Sequence, residues 1–105
     1  RLCKRNVRFT ALVCCNDLMA IGAINALKGM GKRVPDDVSV VGYDDVVMSA
    51  YLEPGLTTVR VPVADMGQEA AQLALNLSDQ KNFPINQAFQ PVLMERDSVA
   101  GLGVD

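Results

Sequence analysis

The sequence contains no histidine and only three cysteines among its 105 residues. Without histidine, general acid–base catalysis loses its commonest side chain. Zinc sites usually draw on several cysteine or histidine ligands, and no CxxC spacing occurs here. Cys14 and Cys15 are adjacent in a predicted strand, where successive side chains point to opposite faces, so a disulfide between them is disfavoured. They read as small buried hydrophobes in a reducing compartment. No apolar run approaches the roughly 18 residues that a membrane span needs. No leader is visible, but Arg1-Leu2-Cys3-Lys4 looks like sequence from the middle of a protein, so that absence says little about compartment.

Positive charge is also scarce outside one stretch. The net charge is −2, and four of the ten basic residues (Arg1, Lys4, Arg5, Arg8) fall in the first eight positions. A nucleic-acid-binding module should carry a basic face. This cluster reads either as a phosphate-contacting patch or, preferably, as a preceding helix ending in cations that suit its negative C-terminal dipole. DNA contact, if the protein makes any, is expected from another segment.

What is present is a chain that is 50% hydrophobic and 21% charged, sized for one small domain. Val7 to Cys15 is apolar and β-rich, and it ends at Asn16-Asp17, a helix-start signal. The spacing predicts a helix over Leu18 to Met30, with Ala20, Ala23, Ile24, Leu27 and Met30 as its core stripe and Gly29 and Gly31 as its stop. Val34-Pro35-Asp36-Asp37 is a turn, and Val38 to Gly42 is a second strand whose unbroken apolar run suits a parallel sheet. A short helical turn is predicted around Val47 to Leu52, and a strand over Leu56 to Val61. A helix from Pro62 to Leu77 follows, with Val63, Met66, Ala70, Leu73 and Leu77 on one face. Ser78 to Gln87 reads as a loop, Phe89 to Arg96 as a last strand, and the residues after Ser98 as a loose tail. Strand, helix, strand implies a right-handed parallel crossover and an α/β sheet with helices on its faces.

Ligands of open parallel sheets bind outside the carboxyl ends of the strands. Two such ends carry polar clusters, Asn16-Asp17 and Tyr43-Asp44-Asp45, and the crossover puts them on one edge. A carboxylate accepts hydrogen bonds from neighbouring hydroxyls, and an asparagine both donates and accepts, which suits a polyol. Asn16 reads equally as a ligand group or as an N-cap. Asp44 and Asp45 read as ligand groups or turn residues, and Tyr43 as a ligand group or packing.

Three linked motifs add to this reading: VCCNDLMAIGAINAL (Val13 to Leu27), RVPDDVSVVGYDD (Arg33 to Asp45) and LTTVRVP (Leu56 to Pro62). In order and spacing, over residues 9–98, they resemble the lactose/galactose repressor family. The resemblance implies a parallel-sheet α/β, periplasmic-binding-protein-like (type I) fold: two subdomains with an effector in the cleft between them, this chain being a C-terminal fragment of that sensor. It implies that residues 9–60 belong to the C-terminal subdomain, 61–90 return to the N-terminal one, and 91–98 cross back. It places effector contacts on Asn16 and Asp44. Val63 stands where some members have a larger cleft-lining side chain, which puts stacking on a sugar ring in doubt. Asp17 and Asp45 match the motifs but are expected to cap or to serve structure.

The family dimerises side by side. Leu18, Ile21, Gly22 and Asn25 form a second, partly apolar stripe on the first helix, and a helix apolar on two faces needs two partners. Burial inside a larger fold is the other reading of that stripe. By resemblance, Tyr51 and Leu52 join the same interface. The family's DNA-binding helix-turn-helix has no counterpart in this chain.

The expectation is therefore the ligand-sensing and dimerisation part of a cytoplasmic transcription regulator. Its partners would be a sugar-like effector, a second copy, and operator DNA through a domain outside this chain. No cofactor, metal or membrane contact is expected. The competing reading is a periplasmic sugar-binding protein of a transport system. Catalysis is not expected: adjacent residues such as Asp44 and Asp45 at a strand end rarely face one another across a bond as paired carboxylates do. Ser39, Ser49, Ser78 and Ser98 also lack a nucleophile-elbow context.

Overall fold

The computed structural model describes residues 5, 7–78 and 88–103. Its elements run β1 (Ala11–Val13), α1 (Asp17–Gly29), β2 (Ser39–Val41), a 3-10 turn (Val47–Ala50), β3 (Thr58–Arg60), α2 (Val63–Ser78) and β4 (Val92–Met94). Arg1, Cys3, Lys4 and the 79–87 part of the expected loop lie outside the described residues. Among the described residues no helix is long and apolar enough to cross a membrane.

The chain divides into two compact units. One holds Arg1–Arg60 with Leu93–Asp105, the other Val61–Val92. In the first, β1 and β2 pair in parallel, with Ala11 opposite Ser39 and Val13 opposite Val41. β2 has neighbours on its other side too. The Gly42 N–H donates to the Thr57 carbonyl (2.9 Å), and the Val40 N–H to the Ser98 carbonyl (2.8 Å). β3 pairs with β4. The strand, helix, strand order thus yields the parallel crossover expected of it.

α1 begins and ends as its sequence dictates. Asn16 is extended and accepts from the Met19 N–H, which satisfies one of the otherwise unpaired amides of the first turn. Asp17 in the first turn and Lys28 in the last both suit the helix dipole. At the far end Gly31 takes φ +72°, and two reversed bonds close the helix: Gly31 N–H to the Lys28 carbonyl and Lys32 N–H to the Leu27 carbonyl. Gly31 is therefore the stop, while Gly29 is still helical. Ala20, Ile24 and Leu27 are buried against Cys14, Val38, Val40 and Leu56, with Phe9, Leu12, Ala23, Val34 and Leu52 packed around them. Met30 does not join this stripe. It caps the helix and is 49% exposed, because the chain leaves the helical path there.

The strands are shorter than their apolar runs. The Ser39 N–H bond to the Thr10 carbonyl starts the β1–β2 pairing, so Val7 and Arg8 extend past any partner among the described residues and are exposed. Cys14 is buried as expected, but Cys15 is exposed: β1 ends at Val13, and Cys15 lies in the bend that leads into α1. The residues after Ser98 begin as a clasp on β2 and not as a loose tail. The Ser98 hydroxyl accepts from the Thr57 N–H (2.8 Å) and donates to the Val40 carbonyl (2.5 Å), and Ala100 N–H donates to the Ser39 hydroxyl (3.1 Å).

In the second unit, α2 starts directly after Pro62, whose missing N–H costs nothing in a first turn. Val63, Met66 and Ala70 of its apolar face are exposed and Leu73 is half-buried.

Candidate functional site

The paired Val13 and Val41 end β1 and β2 at the same edge, and Asn16 and Asp44 each lie three residues beyond that pair. Two backbone bonds lace the chains together there: Cys14 N–H to the Val41 carbonyl (2.8 Å) and Asp17 N–H to the Tyr43 carbonyl (2.9 Å). The third strand reaches the same edge, where the Asp44 N–H donates to the Val59 carbonyl (2.9 Å). Three strands therefore deliver polar residues to one rim.

Four polar residues there have sharply different surroundings. The Asn16 side-chain oxygen is the helix cap, which also settles which end of the amide is oxygen. Among the described residues its NH₂ group has no partner, so capping leaves two donors free. The two readings of Asn16 are compatible, not exclusive.

Asp17 is fully buried. Its Oδ1 accepts from the Thr58 hydroxyl (2.5 Å), and its Oδ2 accepts from the Ser49 hydroxyl (2.6 Å) and the Val46 N–H (2.8 Å). This carboxylate is saturated by protein donors and faces no solvent. Gly42 sits against it: a methyl group there would collide with the Asp17 carboxylate and press on Leu56 Cδ2.

Asp45 is equally committed. Its side chain is 4% exposed and is held by Arg60 Nε (2.7 Å) and Arg96 Nη2 (2.6 Å). Burial pushes its carboxyl up, but the hydrogen bonds and charges of Arg96 and Arg60 outweigh that and hold it below the ordinary carboxylate range. Arg96 is itself fixed, donating to the Leu56 carbonyl (2.7 Å).

Asp44 is the contrast. Its side chain is exposed and has no hydrogen-bond partner among the described residues. Its backbone takes φ +108°, and Asp45 follows at φ +52°. Consecutive non-glycine residues in this region are strained, and such strain persists only where the surroundings impose it. The outcome is a free carboxylate held out from a rigid rim. Tyr43 beside it is exposed as well.

The other residues singled out in the sequence fall elsewhere. Val63 opens α2 in the second unit and is 71% exposed. Leu18 (71% exposed), Gly22 and Asn25 lie on the outer face of α1, and Ile21 is half-buried. Tyr51 follows the 3-10 turn and is 79% exposed, whereas Leu52 turns inward and packs on the core. A surface groove lies away from the rim. It lies before β1 and β2, between Val7, Phe9, Leu27, Met30 and Val38. Among the described residues no group of three or more metal-ligating side chains occurs.

Sequence reasoning missed the reach of Asp17, which binds partners 29, 32 and 41 residues away. A usable signal was the polar pair Thr57-Thr58 inside an apolar strand, since buried hydroxyls require partners.

A parallel α/β unit with a polar rim at the carboxyl ends of its strands is the form of a small-ligand binding domain. Residues 2–99 match the family model described as periplasmic binding protein-like domain. The chain belongs to this family, in its lactose/galactose repressor branch. It is 46% identical over 100 residues to the HTH-type transcriptional regulator GalR of Escherichia coli K12, covering 94% of this chain and 29% of the relative. It also resembles a solved sugar-binding transcriptional regulator of the LacI family from Escherichia coli, complexed with phosphate. That likeness has a TM-score of 0.84 and 41% identity, over 93% of this chain and 35% of that one. The lac repressor dimer bound to operator and the anti-inducer ONPF aligns with a TM-score of 0.89 and 34% identity, over 95% of this chain and 35% of that one. The chain thus spans about a third or less of the relatives it matches.

Proposed function

We propose that this chain is the effector-sensing and dimerisation part of a bacterial, cytoplasmic transcription regulator. A small polyhydroxylated effector, a sugar, binds at the rim carrying Asn16 and Asp44. The observation that carries this reading is the Asp44 carboxylate, exposed and without a partner among the described residues, beside two carboxylates that are fully engaged. A carboxylate with no partner among the described residues can accept from two neighbouring hydroxyls, and the Asn16 NH₂, likewise without one there, can donate to a third oxygen.

The outer face of α1 (Leu18, Ile21, Gly22, Asn25), with Tyr51 and the accessible part of the half-buried Leu52, meets the same surface of a second copy. The 3-10 turn that carries Tyr51 is the segment Asp17 grips through Ser49 and Val46. The effector rim and the dimer face are therefore joined by one buried side chain. Effector binding acts on operator affinity through that dimer, with DNA contacted by a segment outside this chain, so the two sites are coupled. The similarity to an operator-bound dimer and to a sugar-binding regulator supports this reading over that of a transport carrier. No catalytic role is assigned to any residue.

A thermal-shift screen of the full-length protein against galactose, lactose, maltose, cellobiose and sucrose tests the proposal. At least one sugar should raise the unfolding midpoint in a concentration-dependent way. The shift should vanish in Asp44→Ala. A midpoint that no sugar moves, or a shift that survives Asp44→Ala, contradicts it.

A further inference from the structure

Asp17 is not among the proposed effector contacts and cannot be, because its carboxylate is buried and saturated. Its bonds nevertheless converge on the residue that is. The Asp17 N–H holds the Tyr43 carbonyl, and the Asp17 carboxylate holds the Val46 N–H. These two bonds bracket Asp44 and Asp45, the two adjacent residues with positive φ. A third contact comes from Thr58. Its hydroxyl donates to Asp17 and accepts from the Asp45 N–H (3.4 Å). Ser49 completes the ring from the 3-10 turn. Gly42, the residue before Tyr43, has no side chain because Asp17 occupies that space.

A left-handed pair of aspartates relaxes to ordinary backbone unless both of its ends are fixed. Here one residue fixes both ends, the Tyr43 end through its backbone N–H and the Val46 end through its carboxylate. We infer that Asp17 is a positioning residue for the effector site: together with Ser49 and Thr58 it clamps Tyr43 and Val46 so that the Asp44 carboxylate stays presented at the rim. The inference rests on the reading of Asp44 as an effector contact and adds what holds it. Asn16 adjoins the same anchor but is also held by its helix cap. Loosening the clamp therefore releases Asp44 more than Asn16.

Hydrogen–deuterium exchange on the full-length protein tests this without needing the effector. Thr58→Val and Ser49→Ala each remove one donor to Asp17 while keeping most of the side-chain volume. In both variants the backbone amides of residues 43–46 should exchange about tenfold faster, while those of α1 stay within about twofold of the parent. Thr58→Ser, which keeps the hydroxyl, should restore slow exchange. Unchanged exchange at 43–46 in both variants would overturn the inference. So would equal acceleration throughout α1, which marks a general loss of stability. The sugar-induced midpoint shift separates the two levels of the argument. If it survives Asp44→Ala, the effector reading fails. If Asp44→Ala abolishes it while Thr58→Val leaves both shift and exchange intact, the clamp fails alone.

Discussion

The two edges of the β1–β2 sheet are built from the same strands and differ in almost every physical respect. At the carboxyl edge, three carboxylates crowd one rim, two of them engaged by hydroxyl, amide and guanidinium donors and one without a partner among the described residues. At the amino edge there is a groove lined mainly by Val7, Phe9, Leu27, Met30 and Val38, with Arg8, Lys32 and Asp37 around it. The first edge holds strained backbone and buried polar bonds, and the second exposes apolar surface with ordinary backbone. That groove makes the amino edge the competing place for a ligand. The proposed placement follows instead the chemistry of the carboxyl edge, because rigidly held polar groups suit a hydroxylated ligand better than an open apolar groove does.

Substitutions that sharpen this contrast can be ordered by size. Asp17→Ala strands the Ser49 hydroxyl, the Thr58 hydroxyl and the Val46 N–H in a buried site, and should cost roughly 3 kcal/mol or more in a denaturant titration. Gly42→Ala forces a methyl group against that carboxylate and should cost about 1–3 kcal/mol. Asn16 separates stability from binding. Asn16→Ala loses the cap at about 1 kcal/mol, whereas Asn16→Ser keeps a capping oxygen and should weaken sugar binding with little change in stability. At the amino edge, Met30→Ala should move stability by about 0.5 kcal/mol or less and leave sugar binding unaltered. A large effect of Met30→Ala on affinity would reverse the assignment of the two edges.

Acid titration probes the carboxyl edge differently. The folded-state pKa of Asp45 lies below its unfolded value, so its pairing contributes stability that is fully present above the unfolded pKa of about 3.9. That contribution is lost as pH falls through the folded value. Asp45→Asn should therefore flatten the acid limb of the stability profile below about pH 4, alongside a lower plateau at neutral pH.

Much of this was legible in the chain. The Asn16-Asp17 start signal, the α1 stripe and the unbroken apolar β2 run all carry local physics, and local physics decides helix caps and core faces. The strand ends were less legible, because a strand stops where its partner stops: β1 begins pairing only where Ser39 can reach Thr10. Met30 has the spacing of a core residue but sits where the helix has already closed on Gly31. The division of labour among Asp17, Asp44 and Asp45 was visible only as motif matches. What separates them is donors from Ser49, Thr58, Arg60 and Arg96, none of which is near in sequence. Ser98 repeats the lesson: it ends the last recognisable pattern, yet its hydroxyl ties Thr57 to Val40.

The most direct test is a calorimetric titration of the full-length protein and its Asp44→Asn variant with the sugar that gives the largest midpoint shift. A charge-assisted hydrogen bond lost from the rim should weaken binding by about tenfold or more, with the unfolding midpoint of the free protein unchanged. Equal affinities in the two proteins would contradict the placement of the effector at the carboxyl edge.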